Sequence, residues 1–332
     1  MQSVSTKTTC KHLIQAFVSF VILMLSVAQV SAQSYPSKPI RFLVPYAAGG
    51  GGDIVARTFA AYLSKELGQQ FVVDNRAGGT GIIAMEYVAK ATPDGYTLVQ
   101  TNISTSAFVP FTHDDPPYDA VNDFTPISLT TLNPTVMVVN AKLGVRSLKE
   151  FIDLAKAKPG KLLYGSTGPG SIFHLAGHIL GKEAKIDIVH VGYKGLAPAT
   201  TDLLAGQIHF IMCGLGTANP HIRSGSLIPL ALSDTKRTPA YPDVPTFKEL
   251  GLENVLIFNW NGILAPAKTP DAVVRRLNAA IRKAGQAEEV VGYLAKVATA
   301  VATDSPEEFD IFIKKEQQRY GPLLKELRAV TQ

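Results

Sequence analysis

The chain has 332 residues, of which 46% are hydrophobic and 18% charged, with a formal net charge of +5. This length favours two lobes over one, and the hydrophobic share excludes a disordered or collagen-like chain. Two cysteines are too few for a disulfide scaffold, and the modest charge, without a block of Lys and Arg, gives no support to nucleic-acid binding.

The first 32 residues have the pattern of a secretory signal peptide. Lys7 and Lys11 precede a mostly apolar stretch from Leu13 to Val30, and small residues follow as far as Ala32. This pattern predicts export and cleavage after Ala32. The alternative is a membrane anchor, but the apolar stretch is at the short end for a bilayer and contains two glutamines. Cleavage would leave Cys213 as the single thiol of a soluble chain, and its apolar surroundings predict that it is buried.

Short apolar strands alternate with helices in the first half of the mature chain. Strands are predicted from Ile40 to Val44, Phe71 to Val73, Thr97 to Thr101, Thr125 to Leu132 and Val136 to Asn140, and helices from Asp53 to Leu67 and Ile82 to Lys90. Three prolines predict a loop over residues 102–117, and Pro134 is expected to separate the last two strands.

The same alternation continues in the second half. Further strands are predicted from Leu162 to Gly165, Ile188 to Val191, His209 to Cys213 and Leu227 to Leu232, with helices near 172–183, 196–205 and 217–224. Capping boxes predict helix starts after Ser147 and Ser305, and Thr269-Pro270 predicts another helix, to about Gly285. This pattern predicts an α/β fold with mostly parallel sheets, in which ligands bind beyond the carboxyl ends of strands.

Two glycine-rich loops stand between a predicted strand and a predicted helix. The first runs from Pro45 to Asp53 and the second from Ser166 to Ser171. Glycines let a ligand approach backbone amides, and a helix start offers free N–H groups and partial positive charge, so each loop has the pattern of an anion site. The alternative is that each loop only connects its strand tightly to its helix.

The sequence favours a carboxylate over a nucleotide as the anion. No GxxxxGK[ST] phosphate loop is present, and the GxGxxA match from Gly79 to Ala84 lacks the acid expected about 20 residues later, where Val99 stands. We therefore interpret that match as a tight turn, and expect no nucleotide or other cofactor.

Catalytic patterns are weak. His174 and His178 are four residues apart but lack the HExxH pattern, so a structural pair is favoured over a metal site. Ser166 lies outside a GxSxG elbow and has no base or acid near it in sequence. Asp114 and Asp115 are expected to be solvated. We therefore predict no catalytic residues and no metal; an exported hydrolase that uses Ser166 is the alternative.

Several motifs along the mature chain resemble those of Bug-type receptors, the extracytoplasmic solute-binding proteins of tripartite tricarboxylate transporters. The resemblance covers essentially the whole mature chain. The motifs are the stretches from Tyr35 to Arg41, Val44 to Gly50, Val73 to Gly78, Pro93 to Leu98, Tyr164 to Gly168, His174 to Gly177, Tyr193 to Gly195, Thr201 to Gln207, Pro242 to Thr246 and Leu264 to Pro266.

The resemblance implies a two-lobed periplasmic-binding-protein fold of the Venus-flytrap type, each lobe a mostly parallel sheet flanked by helices. The lobes are expected at residues 33–132 with 258–332, and at 133–257. It also implies a periplasmic monomer that captures a small carboxylate and passes it to membrane permease subunits. A ligand-sensing adaptor for a sensor kinase is the alternative, and the sequence does not separate the two.

Carried onto this chain, the resemblance implies ligand contacts at both glycine loops and at two neighbouring stretches. The candidate residues are Tyr46, Ala47, Ala48, Gly49, Gly50, Asp53, Thr101, Asn102, Ser104, Ser166, Thr167, Gly168, Gly170, Ser171, His174, Tyr193, Ala197 and Asp202. Asp202 could equally hold a water or a loop.

The chain departs from the family pattern at Cys213-Gly214-Leu215, where many relatives carry an acid. Without that acid there is no partner for a ligand ammonium, which disfavours an amino acid. The expected ligand is an aliphatic di- or tricarboxylate or an aromatic carboxylate of the terephthalate type. Phe258 and Trp260 either pack on an aromatic ligand or, as favoured, pack at the hinge.

Overall fold

A computed structural model of the protein describes residues 35–46, 48–78, 81–113, 115–193, 195–297 and 299–331. The predicted signal peptide, its cleavage site at Ala32, and Ala47, Gly79, Thr80, Asp114 and Lys194 lie outside these residues. The chain divides into two compact units, Met1–Ser37 and Lys38–Gln332, and the second holds every element named below. In the described part of the chain, no helix has both the length and the apolar character needed to cross a bilayer.

The strands form two mixed sheets that share one long strand. They are β1 (Ile40–Val44), β2 (Phe71–Asn75), β3 (Thr97–Asn102), β4 (Phe124–Asn140), β5 (Leu162–Ser166), β6 (Ile188–Gly192), β7 (Phe210–Gly214), β8 (Leu227–Ser233) and β9 (Phe258–Pro266). The first sheet has the order β2-β1-β3-β9-β4, and the second has the order β8-β4-β7-β5-β6. Three strands of each sheet are parallel, namely β2, β1 and β3 in the first and β6, β5 and β7 in the second.

Helices flank both sheets. They are α1 (Gly51–Leu67), α2 (Ile82–Ala89), α3 (Val109–Thr112), α4 (Leu148–Ala157), α5 (Ile172–Ala184), α6 (Leu196–Ala205), α7 (Leu215–Arg223), α8 (Asp271–Ala284), α9 (Glu288–Lys296) and α10 (Pro306–Thr331), with a π-helical turn at Ser104–Phe108 and a 3-10 turn at Ala141–Leu143. In α1, residues at helical spacing such as Val55, Phe59 and Leu63 are buried, and Gly68 ends the helix in the left-handed conformation.

Strand β4 passes from one sheet to the other. Its first half pairs with β9, and its second half pairs with β7 and β8. The expected interruption at Pro134 is wrong, because Pro134 lies opposite Phe258 within one continuous strand. Pro134 is the last residue of β4 that pairs with β9, and pairing with β7 and β8 begins at Thr135. A residue without an N–H is tolerated at such a ladder end.

The hydrophobic core extends along both sheets. Trp260 on β9 is fully buried and makes edge-on contacts with Phe309 and Phe312 of α10. Its indole nitrogen donates a hydrogen bond to the buried Glu316 carboxylate. Trp260 is therefore a core residue, which confirms the packing interpretation and leaves its ring no free face for a ligand. Cys213 is also buried, as predicted, within the second sheet.

Local signals in the sequence account for most boundaries but not all. The Ser147 and Ser305 hydroxyls accept the N–H groups of Glu150 and Glu308, which confirms both helix starts. The Glu308 carboxylate accepts the Ser305 N–H in return and completes a capping box, whereas the Glu150 carboxylate accepts the Arg146 N–H. The expected loop over residues 102–117 is wrong in part, because it contains the π-helical turn and α3. Thr269 does not cap α8, since its hydroxyl donates instead to the Pro266 carbonyl.

Candidate functional site

The first glycine loop joins β1 to α1 at the carboxyl end of β1. Gly50 is the N-cap of α1, which has no side-chain cap, and Ala48, Gly49 and Gly50 are exposed. The first N–H groups of a helix have no carbonyl to bond within the helix, and the helix dipole adds partial positive charge. This end of α1 therefore offers N–H donors to an anion.

The Asp53 side chain, in the first turn of α1, fixes the first loop by hydrogen bonds. Its side chain is 2% exposed and accepts hydrogen bonds from the Gly49 N–H at 2.8 Å, the Arg57 Nε at 2.9 Å and the Asn75 amide at 2.8 Å. Burial raises the pKa of this carboxyl, but the bonds from Arg57, Gly49 and Asn75 outweigh burial and hold the pKa below its ordinary value. The Gly49 amide is therefore bonded to Asp53 rather than free for a ligand.

Tyr46 packs against the start of α1. A Cβ added to Gly52 would lie 2.8 Å from the Tyr46 ring, so the absence of a side chain at Gly52 makes room for it. The Tyr46 hydroxyl is buried and makes no hydrogen bond of ordinary geometry with the described residues. Burial raises its pKa, and the nearby Asn102 side chain lowers it by a smaller amount. The Oε1 atom of Gln100 is also buried without a hydrogen-bond partner among the described residues. Two unsatisfied buried polar atoms beside one loop are typical of a site that binds water or ligand.

The segment after β3 is held by its own hydroxyl groups. Thr101 is fully buried and bonds through its hydroxyl to Thr105 and Ser106. The Asn102 side chain accepts the Thr105 N–H at 3.1 Å, and Ser104 is half-buried in the π-helical turn. Thr101 and Asn102 therefore shape this segment, and Ser104 is the candidate with a partly open side chain.

The second glycine loop joins β5 to α5. The Ser166 hydroxyl, which is fully buried, accepts the Gly168 N–H at 3.0 Å and donates to the Gly168 carbonyl at 3.1 Å. Ser171 caps α5, and the Gly170 N–H donates to Nδ1 of His174 at 3.1 Å. Four residues of the loop are therefore already bonded, Ser166 and Gly168 to each other and Gly170 and Ser171 to His174 of α5.

One backbone amide of the second loop, that of the half-buried Thr167, is not already bonded in the described part of the chain. Among the described residues, the Thr167 N–H has no backbone or side-chain acceptor, unlike the N–H groups of Gly168, Gly170 and Ser171. Thr167 lies between the carboxyl end of β5 and the start of α5. It is therefore the amide of this loop best placed to bond a ligand.

The segment Ser104–Thr112 lies near both glycine loops. A Cβ added to Gly170 of the second loop would lie 3.3 Å from Thr112. On the side of the first loop, a Cβ added to Gly81 would lie 2.7 Å from Thr105 and 3.0 Å from Pro45, so Gly81 packs between this segment and the start of the first loop. The segment after β3 is thus in direct contact with the second loop and is separated from the first by Gly81.

Tyr193 and Asp202 are bonded to each other. The Tyr193 hydroxyl donates to the Asp202 carboxylate at 2.8 Å, and the Tyr193 N–H donates to the Ser166 carbonyl at 2.9 Å. Burial, and then the bond to Asp202, raise the pKa of Tyr193 to about 12. The Asp202 carboxylate thus holds the Tyr193 side chain in place. Ala197 is exposed in the first turn of α6.

The site includes residues that the sequence analysis did not single out. His190 bonds to the Ser166 hydroxyl at 2.6 Å, and Asn75 and Arg57 support the first loop through Asp53. The sequence signal that could have identified His190 is its position on a predicted strand, three residues before Tyr193. Within the described ranges, no three His, Cys, Asp or Glu side chains are grouped as a metal site would require.

Two mixed sheets joined by crossing strands, with glycine loops beyond parallel strands, define the class of two-lobed periplasmic binding proteins. The model of the tripartite tricarboxylate transporter family receptors matches residues 55–329, and the chain belongs to this family. The family consists of solute-binding receptors rather than enzymes, so the resemblance, the fold class and the absence of catalysis predicted from the sequence are confirmed.

The chain is similar in sequence to other members. It is 36% identical over 313 residues to the UPF0065 protein of the tcbD-tcbE intergenic region of Pseudomonas sp. strain P51, covering 93% of each chain. It is 35% identical over 303 residues to BugT of Bordetella pertussis, covering 91% of this chain and 93% of BugT.

Solved structures with the same fold include proteins with bound dicarboxylates. A periplasmic transporter is similar with a TM-score of 0.81 and 38% identity, over 88% of this chain and 98% of that one. Rpa4515 of R. palustris with adipate has a TM-score of 0.82 and 31% identity, with the same coverage. MatC of Rhodopseudomonas palustris with bound malate has a TM-score of 0.78 and 29% identity, over 87% and 100%.

Proposed function

We propose that this protein is a periplasmic receptor that captures an organic carboxylate and delivers it to the membrane permease of a tripartite tricarboxylate transporter. One observation carries the proposal: the segment Ser104–Thr112 contacts the second glycine loop at Gly170 and reaches the first loop at Pro45 through Gly81. The closeness of both loops to one segment supports one cleft in which donors from both loops reach the same anion.

The proposed donors are backbone N–H groups rather than charged side chains. They are the first amides of α1, from Gly50 to Gly52, and the Thr167 amide before α5. These four amides give about four charge-assisted hydrogen bonds, each worth roughly 1.5–3 kcal/mol, and together they exceed an association cost of at least about 4 kcal/mol. Micromolar affinity, about 8 kcal/mol, is therefore within reach of such a site.

The other candidate residues are proposed to shape the cleft. Asp53 fixes the first loop, Asn102 and Thr101 fix the segment after β3, and Asp202 fixes Tyr193. Tyr46 and Ser104 are proposed to face the ligand through bridging water, because the Tyr46 hydroxyl makes no hydrogen bond of ordinary geometry with the described residues.

The proposed ligand is a dicarboxylate or a related acid. Solved structures with the same fold contain adipate and malate. These ligands support an aliphatic di- or tricarboxylate as the ligand of this protein. An aromatic carboxylate of the terephthalate type is the second chemical class. Gly214, at the end of β7, has open space where a side chain would stand, and no acid at this point could pair with an ammonium group.

The receptor is proposed to work by closing two lobes, formed by residues 33–132 with 258–332 and by residues 133–257. The crossing strands β4 and β9 are the proposed hinge. A ligand that bonds to loops of both lobes binds the closed form better and shifts the population toward it.

Titration calorimetry with a panel of acids tests the proposal. The panel contains adipate, malate, citrate and terephthalate, with 1,6-hexanediol as the uncharged match for adipate. We expect at least one acid to bind with micromolar or tighter affinity and the diol not to bind. Folded protein that binds none of the acids would overturn the proposal.

Two valine variants separate loop geometry from general strain. Gly49 and Gly144 both have positive φ, +83° and +80°, and open space around the Cα atom. Gly49→Val in the first loop is expected to abolish binding, whereas Gly144→Val, outside both loops, is expected to retain it. Native affinity in folded Gly49→Val would remove the first loop from the site.

Export and delivery are tested in cells. Mass spectrometry of periplasmic protein is expected to show a chain that begins after Ala32. Cross-linking in the presence of the ligand is expected to capture permease subunits. Capture of a sensor kinase instead of permease subunits would favour the alternative function, a ligand-sensing adaptor.

A further inference from the structure

Two imidazole rings are stacked beneath the second glycine loop. The ring centroids of His174, on α5, and His190, on β6, are 3.7 Å apart with planes 18° from parallel. His174 is 2% exposed, and the Tyr164 ring lies 5.2 Å from the ring of His190. The stack is therefore packed in place from two strands and one helix.

Each ring bonds to a different end of the loop. The Gly170 N–H donates to Nδ1 of His174 at 3.1 Å. The Ser166 hydroxyl is 2.6 Å from Nε2 of His190 and also accepts the Gly168 N–H. Because the rings stack on each other, the two ends of the loop are fixed to one rigid unit.

The bond at Gly170 requires a neutral His174. Nδ1 accepts a hydrogen bond only when it carries no proton, so its proton must lie on Nε2. The Ser166 bond has no such requirement, since a protonated His190 still donates from Nε2. Protonation therefore breaks the clamp at His174 and not at His190.

The surroundings favour the neutral ring. Burial, followed by the charges of His190 and His178, lowers the pKa of His174 to about 4, and burial lowers that of His190. Tyr164 faces both rings from β5, and Glu326 of α10 faces His178 at 3.7 Å rather than the stack. Among the described residues, no carboxylate bonds to either stacked ring.

We propose that His174 and His190 form a clamp that holds the second glycine loop in one shape while His174 is neutral and releases the loop when His174 is protonated. His174, a candidate ligand contact in the sequence analysis, is in this view a positioning residue. The effect of the clamp on ligand affinity rests on the proposed function, whereas its effect on the loop does not.

Amide hydrogen exchange in the ligand-free protein tests the clamp directly. We expect faster exchange across Ser166–Ser171 in His174→Leu, which removes the acceptor, and near-native exchange in His174→Asn, whose Oδ1 can replace Nδ1. His178→Leu, one turn further along α5, is the control and is expected to leave the loop unchanged. Equal exchange in His174→Leu and the native chain would overturn the proposal.

Nitrogen-15 NMR of the native chain provides a test that needs no variant. We expect the Nε2–H tautomer at His174 near pH 7 and a titration midpoint near pH 4. The Gly170 amide signal is expected to shift with the same midpoint. An Nδ1–H tautomer, or titration of His174 without any response at Gly170, would contradict the clamp.

Affinity for an acid found by the calorimetric screen tests the link to binding. We expect His174→Leu to bind about fivefold more weakly at pH 7, the effect of losing one ordinary hydrogen bond, and His174→Asn to restore most of this loss. Unchanged affinity in His174→Leu would overturn the link while leaving the receptor function in place. If no acid binds the native chain, the receptor function fails and the exchange experiment still decides the clamp.

Discussion

At the scale of single residues, Asp53 places a negative charge directly beneath a proposed anion site. Its carboxylate is matched by the Arg57 guanidinium and by the Asn75 amide, so little of its charge is left to repel a ligand. The same bonds order the first loop before any ligand arrives, which lowers the conformational cost of binding.

Asp53→Asn tests this role through the dependence of stability on pH. Asp53 has a lowered pKa in the folded chain, so it stabilises the fold above its unfolded pKa, about 3.9, and loses this effect as pH falls through the lower folded pKa. We expect the variant to be about 1–3 kcal/mol less stable at pH 7 in urea unfolding. The difference should shrink below about pH 4. A difference that is constant down to pH 3 would contradict this account. The control is Asp310→Asn, at a partly exposed carboxylate that pairs with Lys314.

At the scale of elements, the second glycine loop depends on backbone angles that other residues rarely adopt. Gly168 has φ +115° and its added Cβ would meet only the Tyr193 carbonyl, at 3.7 Å. A substitution there changes the backbone conformation rather than the packing. The loop that positions the Thr167 amide is therefore sensitive to the smallest possible side chain.

Gly168→Ala is expected to cost about 1–3 kcal/mol of strain and to weaken ligand binding about tenfold. The matched control is Gly144→Ala, which has φ +80°, no neighbour within contact distance, and a place outside both loops. It should lose stability by unfolding measurements but keep its affinity in calorimetry. Equal affinity of the two variants would show that the second loop does not hold the ligand.

Most elements could be predicted because their signals are local. Helix α6 at Leu196–Ala205 matches its prediction at both ends, and the capping residues Ser147 and Ser305 mark helix starts correctly. Strand β9 and helix α9 were not predicted. Strand β9 is long and buried and lacks a clear alternation, and its identity comes from pairing with β3 and β4. The π-helical turn depends on hydroxyl bonds between side chains, which spacing does not reveal.

The candidate site divides in the same way. Strand–glycine–helix spacing is a local pattern, so both loops could be located from the sequence. Which amides are already bonded could not, because it depends on where distant side chains reach. The Gly49 amide is taken by Asp53 and the Gly170 amide by His174. Thr167 could be singled out only after those bonds were known.

At the scale of the whole molecule, one contact between the two sheets' helices leaves no room for a side chain. A Cβ added to Gly216, in the first turn of α7, would lie 2.5 Å from the Val297 carbonyl after α9. Helix α7 follows a strand of the second sheet, whereas α9 packs on α1 beside the first. This contact lies outside the glycine loops, so a change there alters the distance between the helices of the two sheets without altering either loop.

Gly216→Ala is expected to hold α7 away from the end of α9 and so to hinder closure of the two proposed lobes. Ligand binding should weaken about tenfold, because the closed form binds best. X-ray scattering of the liganded variant should show a larger radius of gyration than the liganded native chain. Gly292→Ala, in α9 and without close neighbours, is the control and should bind normally. Native affinity in Gly216→Ala would place closure elsewhere.

The most direct measurement is a crystal structure of the protein grown with the acid that binds best in calorimetry. The account predicts one carboxylate group within hydrogen-bond distance of N–H groups from both the Gly50–Gly52 turn and Thr167, directly or through one water. A bound acid that contacts only one of these loops, or lies away from both, would contradict it.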